Sequence, residues 1–236
     1  MRYGWGMPSS TPLDPQAFLE EIQRELLRSL ARLGEQSRAA IPESATVTDL
    51  LSMALRDEIE IAEIAAQWLT DEPDLDLRLG LARQVGDEAR HFEMMCDRVR
   101  ELGSDPTSDP RTRAHSAIFR YLRGLQTPAE RLAAGLAREG VARLRNALLA
   151  EVCMARGDDR TAHLCIEGVG ADEMRHLDFC RRELLRYALT AEDQEAARRA
   201  MARTIQLAEE ANDPSRSAKA PPAPLAQPPE PPAAGR

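Results

Sequence analysis

Aromatic residues are scarce, only 4% of this 236-residue chain. Strands favour aromatic and β-branched side chains, and the alternating pattern they need is absent, whereas Ala, Leu and Arg recur throughout and favour helix. No apolar run approaches the ~18 residues that a membrane span requires. Met1 to Pro12 lacks the basic start and apolar stretch of a signal peptide, so the cytoplasm is the expected compartment. Lysine is almost missing, Lys219 being the only one, and the formal net charge of −8 argues against nucleic acid as a partner. Cys96, Cys153, Cys165 and Cys180 form no C-x-x-C pair, which speaks against a disulfide framework, a zinc knuckle or a rubredoxin-type iron site.

What is present reads as helix after helix. Asp14-Pro15 opens the first, with Leu19, Ile22, Leu26, Leu30 and Leu33 as its apolar stripe. Thr48 is expected to cap a long helix running to about Leu69, and Asp71-Glu72-Pro73 breaks it. The next helix spans about Asp74 to Leu102. A short one is expected near Arg111–Gly124, a long one from Pro128 to Arg156, its partner from Asp158 to Leu189, and a last one from a Thr190 cap to Asn212. The core of the chain is thus two hairpins, 48–102 and 128–189, joined by one long crossover. This is an all-α arrangement of the four-helix-bundle type, with additional N- and C-terminal helices. Residues 1–13 are expected to be disordered, 14–212 to form the helical domain, and 213–236 to be a disordered Pro/Ala-rich tail.

Two of the four histidines sit in one local frame. Asp87-Glu88-Ala89-Arg90-His91 recurs as Asp172-Glu173-Met174-Arg175-His176, each in the second helix of a hairpin. Glu and His three apart share a helical face and can reach a common ion. Residues at equal height in an antiparallel hairpin are equidistant from its turn. This rule pairs Glu88 with Glu58 about Pro73, and Glu173 with Glu139 about Arg156. At about 100° per residue, Leu51, Leu55, Ile61 and Ala65 flank Glu58, while Glu60 and Glu63 fall on the opposite side as solvated charges. Ile166, Val169, Leu177 and Cys180 flank Glu173 in the same way.

Carboxylates on core faces are costly unless compensated. Glu58, Glu88, Glu139 and Glu173 carry four negative charges that two divalent cations would neutralise, with His91 and His176 completing the ligand set. Mixed carboxylate and imidazole donors suit iron or manganese. Small residues near Glu58 and Gly135 near Glu139 would leave room for ions and a small ligand. Arg143 is either an ion-pair partner of Glu139 or an anion anchor. Asn146 either bonds within the site or satisfies a backbone group. Met95 and Cys180 are apolar filler, and His115 and His163 lack any partnering pattern.

Glu58, Glu88-x-x-His91, Glu139 and Glu173-x-x-His176 together resemble the ferritin-like dinuclear metal-carboxylate superfamily over about 48–189. The doubled D-E-x-R-H wording is most similar to its oxygenase branch. The resemblance implies a diiron centre, with manganese or mixed Mn/Fe as variants. It also implies dioxygen as co-substrate and oxidation of a small-molecule or carrier-bound substrate. Glu88 and Glu173 would bridge the ions, with Glu58 and Glu139 terminal. Asp87 and Asp172 would stand behind metal-bound histidines and orient them. No C-x-x-C pair offers an internal redox centre, so a separate electron donor is expected, and a homodimer is the common assembly for such folds. Two alternatives use the same ligands: a ferroxidase or iron-storage protein, and a dimanganese catalase-like peroxide scavenger.

Overall fold

The computed structural model describes residues 11–107 and 115–212, and among them there are helices and no strands. Helix α1 spans Pro15–Ala40, α2 Val47–Asp71, α3 Leu75–Glu101, α4 Ala117–Leu122 and α5 Pro128–Ala155. Then come α6 Asp159–His163, a π-helical turn Leu164–Val169, α7 Gly170–Tyr187 and α8 Ala191–Asn212. None of these helices is long and apolar enough to cross a membrane. The expected tail, 213–236, and most of the expected N-terminal segment lie outside the described residues. Leu13, at the end of that segment, exchanges two backbone hydrogen bonds with the buried amide of Gln194.

Apart from α7, which continues out of the π-helical turn without a side-chain cap, each α-helix begins where its sequence offers an oxygen to free backbone N–H groups. Asp14 accepts from Gln16 and Ala17, with Pro15 preset for the first turn. The cap of α2 is Thr46 rather than Thr48, because Thr46 and Asp49 close a reciprocal capping box two residues earlier. Thr127 and Glu130 do the same for α5. Gly157, at φ +74°, ends α5 in a left-handed turn that lets Asp158 N bond back to Cys153 O at 2.9 Å. The short helix expected over 111–124 is found at Ala117–Leu122, and residues 108–114 lie outside the described part.

The helix expected over 158–189 is not continuous. A π-helical turn separates α6 from α7, and it rotates the residues before Glu173 relative to an ideal α-helix. Ile166 is consequently 52% exposed, and Cys165 and Val169, four apart, take the inward positions.

Helix α3 packs along α2, α7 along α5, and α5 also packs against α2, α1 and α8. The two flanking helices, α1 and α8, cover α5 and each other, with Phe18, Ile22, Leu26 and Leu33 of α1 fully or nearly fully buried. Two apolar clusters result. One holds Leu51, Leu55, Met95, Val99, Leu149 and Val169. The other holds Ala65, Leu81, Leu136, Leu177 and the inward faces of α1 and α8. Along α2, α3 and α7 the acidic and histidine residues fall in the sequence gap between these clusters, and on α5 Glu139 sits near the end of the larger one, so a polar layer lies between the two.

Candidate metal centre

Glu58, Glu88, His91, Glu139, Glu173 and His176 are all buried, none more than 5% exposed. Glu58, Glu88 and His91 form one group that could hold a metal ion, and Glu88, Glu139 and His176 form a second; in each, the ligand atoms lie within 4.8 Å of one another. Glu88 belongs to both. Its Oε2 is 3.1 Å from His91 Nδ1 and its Oε1 is 3.1 Å from His176 Nδ1. The two imidazole rings face across it with centroids 6.4 Å apart. Glu58 Oε2 lies 3.2 Å from His91 Nδ1, and Glu139 Oε2 lies 3.3 Å from His176 Nδ1.

The far ring nitrogens are committed elsewhere. His91 donates through Nε2 to Asp172 at 3.1 Å, and His176 donates through Nε2 to Asp87 at 3.2 Å. With Nε2 protonated, neutral imidazole presents a lone pair at Nδ1, aimed at carboxylate oxygens that are also lone-pair donors. Such a convergence is repulsive until a proton or a cation sits in it.

Electrostatics describe the proton-filled form. Burial works against charge on His91, yet Glu58 and Glu88 outweigh it and raise its pKa to about 9. Burial likewise opposes the charge on His176, where Glu139 and Glu88 raise it to about 11. Burial raises Glu58 and Glu139 above the usual carboxylate range, and burial with repulsion from Glu139 lifts Glu173 to about 7. Glu88 is lowered: burial would raise it, but the two histidines it touches hold it ionised. Protons thus compete for the positions that a metal would take.

Buried Glu173 Oε2 has no hydrogen-bond partner, and Glu88 Oε1, although 3.1 Å from His176 Nδ1, makes no well-aligned hydrogen bond. Carboxylate oxygens left without good hydrogen bonds within or beside a set of oxygen and nitrogen donors fit a cation with open coordination positions. Glu173 belongs to neither three-residue group. Its Oε1 accepts from Asn146 Nδ2 at 2.8 Å. The geometry therefore gives Glu88 a place between the two groups, and Glu173, expected to share it, lies buried outside both three-residue sets with its Oε1 bonded to Asn146.

Other expected residues separate clearly. Asn146 bonds within the site, but Arg143 is exposed on α5 and supplies no charge there. Glu60, expected to be solvated, is 4% exposed and accepts from Ser116 N and Oγ at 2.5 Å each, where it anchors the start of α4. Gly135 does not leave open space for an ion: a Cβ there would meet Cys180 Sγ at 3.2 Å. His115 pairs with exposed Glu63, and His163 with exposed Glu167. Met95 is buried in the apolar cluster beside the polar layer.

Several contributors escaped the sequence reading. Gln84, one turn before Glu88 and so on its face, donates to Glu139 Oε1 at 2.7 Å. Arg90 and Arg175 both pair with Asp172 and lie 3.8 and 3.7 Å from Asp87. Their signal was available, since each is the Arg of the repeated motif. Beside Glu58, buried Asp57 is bound by Arg145 at 2.8 Å and Arg138 at 3.3 Å. Burial would raise its pKa, but these arginines and Arg56 bring it down to about 2.

Comparison of the chain with protein-family models, with curated proteins and with solved structures gave no match. Side-chain geometry alone shows that these two groups could hold a metal ion.

Proposed function

We propose that this chain is a ferritin-like four-helix-bundle protein with a dinuclear iron centre, and that it uses dioxygen to oxidise an organic substrate. The observation that carries the reading is the shared position of Glu88 between His91 and His176, with a further Glu on each side. Iron bound there would supply the reduction of dioxygen, which no protein side chain performs alone.

The chain's own residues have definite tasks. Glu58, Glu88 and His91 would hold one ion, and Glu88, Glu139 and His176 the other. Asp172 and Asp87 accept the Nε2 protons and so fix the tautomer that leaves each Nδ1 free as a donor. Gln84 and Asn146 orient Glu139 and Glu173 from outside the ligand layer. The apolar clusters on either side limit the water that reaches the layer, which strengthens the charge interactions within it. The four cysteines are buried and unpaired, in keeping with a reductant that is a separate protein.

The test is dioxygen consumption by protein loaded anaerobically with Fe(II) and supplied with a chemical reductant. The expected result is sustained uptake that Glu88→Ala abolishes. Uptake that stops once the added Fe(II) is oxidised, with iron accumulating far beyond two per chain, would replace this reading with iron storage. Rapid peroxide breakdown by the manganese form alone would replace it with peroxide scavenging.

A further inference from the structure

Two cavities abut the polar layer from opposite ends. One touches Glu139 and Gln84, and the other touches Glu58 and Asn146. The first is about 30 Å³. It has buried donors without partners on its walls, Arg138 Nη1 and Trp68 Nε1. A cavity of that size holds one or two water molecules, and water is what such donors need. The second is about 120 Å³ and differs in kind.

Most of the residues that line the second cavity are apolar, among them Ile41, Leu50, Met53, Ala54, Ala142 and Leu149. The polar side chains along it are already committed. Arg145 is paired with Asp57 at 2.8 Å, Asn146 donates to Glu173 at 2.8 Å, and Asn212 donates to Ser37 at 2.7 Å. Met53, on the rim, is 38% exposed, so the cavity communicates with solvent between the start of α2 and the ends of α1 and α8. At its inner end lies Glu58, a member of the first metal group.

We propose that this cavity binds the organic substrate, and that the substrate is a small neutral apolar molecule such as a monocyclic aromatic or a short hydrocarbon chain. The proposal rests on the dinuclear reading given above. Size sets the upper limit: a dry apolar cavity of comparable volume takes up benzene, so about six to eight non-hydrogen atoms fit. Charge sets the class. A charged group entering here would leave water for a wall whose ionic side chains are paired with one another, apart from Glu58, which the metal group claims. A neutral apolar molecule loses nothing on entry and comes to rest against Glu58, at the edge of the metal layer.

The experiment is a ¹⁹F NMR titration of fluorobenzene into the full chain, metal-free and then loaded with Mn(II). Saturable binding at one site is expected, with strong broadening of the bound fluorine signal when Mn(II) is present. Ala54→Phe should fill the cavity and weaken binding at least about tenfold. Met53→Trp, on the exposed rim where folding is little disturbed, should do the same, and both variants should still take up metal. Binding that neither substitution weakens, or that Mn(II) does not broaden, overturns the assignment. So does binding that appears only after deletion of residues 213–236, which follow Asn212 at the rim, because the chain itself would then be the occupant. No binding by a protein that holds its metals overturns the pocket alone, whereas fluorobenzene binding by a protein that refuses metal overturns the dinuclear reading.

Discussion

His91 and Asp172 are joined across the core by a 3.1 Å hydrogen bond, so the acid that opens the second motif steadies the imidazole of the first. The reciprocal bond from His176 to Asp87 completes the exchange. Arg90 and Arg175 pair with both acids and bind the two motifs into one unit. Each motif therefore depends on the other for the orientation of its ligand, which explains why Asp, Arg and His recur together with Glu.

The crossed arrangement makes a specific prediction. Asp172→Ala should weaken metal binding at the group containing His91 by about 10–100-fold, the usual cost of losing a partner behind a ligating histidine. The group containing His176 should be less affected, and Asp87→Ala should show the reverse. Mn(II) titration followed by electron paramagnetic resonance separates the two steps. Loss confined to the histidine of the mutated motif would contradict the crossing.

Metal-free protein should lose stability as pH rises. His91 and His176 have pKa values raised to about 9 and about 11 from an unperturbed 6.5. The stabilisation they contribute is full below pH 6.5 and disappears as pH passes through those folded-state values. Glu173, raised to about 7, acts in the same direction from the acid side. Thermal melts of chelator-treated protein should show a midpoint that falls between pH 6 and pH 10; a rising midpoint would contradict it. Metal loading near neutral pH should release the imidazole protons, visible as a buffer-dependent heat in calorimetry.

Asp57→Ala removes the acid between Arg138 and Arg145 and leaves buried guanidinium charge uncompensated. A loss of about 3–5 kcal/mol in urea unfolding is expected. A loss under about 1 kcal/mol would mean that solvent reaches these charges. Because the folded-state pKa of Asp57 is about 2, this contribution should persist in mild acid and disappear only as pH falls through that value.

Gly80 lets α3 approach Phe179 of α7, and a Cβ at that position would lie 1.9 Å from the ring. Gly80→Ala should cost about 1–3 kcal/mol, the range for overpacking a core contact. Adding Phe179→Leu should recover part of the loss, and strict additivity in unfolding experiments would show that the two residues do not clash.

Much of this architecture was legible because helical period, caps and breakers all act locally. Asp14-Pro15, Thr127 with Glu130, and Thr190 with Asp193 mark helix starts through short-range hydrogen bonds that the sequence displays. The equidistance rule brought Glu58 to Glu88 because the three residues between α2 and α3 leave no freedom of register. Glu173 is buried as the wheel placed it, but the residues just before it are displaced because a π-helical turn precedes α7, and an extra residue in a turn is invisible to a 100° wheel. Ile166 was misplaced for the same reason. Glu60 and Gln84 depend on partners 56 and 55 residues away, and no local pattern reveals them. Arg143 and Arg138 are both arginines one helical turn or less from Glu139, and tertiary packing alone decides that Arg138 is the buried one.

The most direct test of the dinuclear centre is metal content per chain after anaerobic Fe(II) loading and desalting, in the intact protein and in Glu88→Ala. The intact protein should retain two irons and change colour on exposure to air. Glu88→Ala should retain at most one, because it removes the carboxylate common to both groups. Two irons in both proteins would show that Glu88 is not shared, and no bound iron or manganese in the intact protein would show that the buried acids and histidines are held by protons alone.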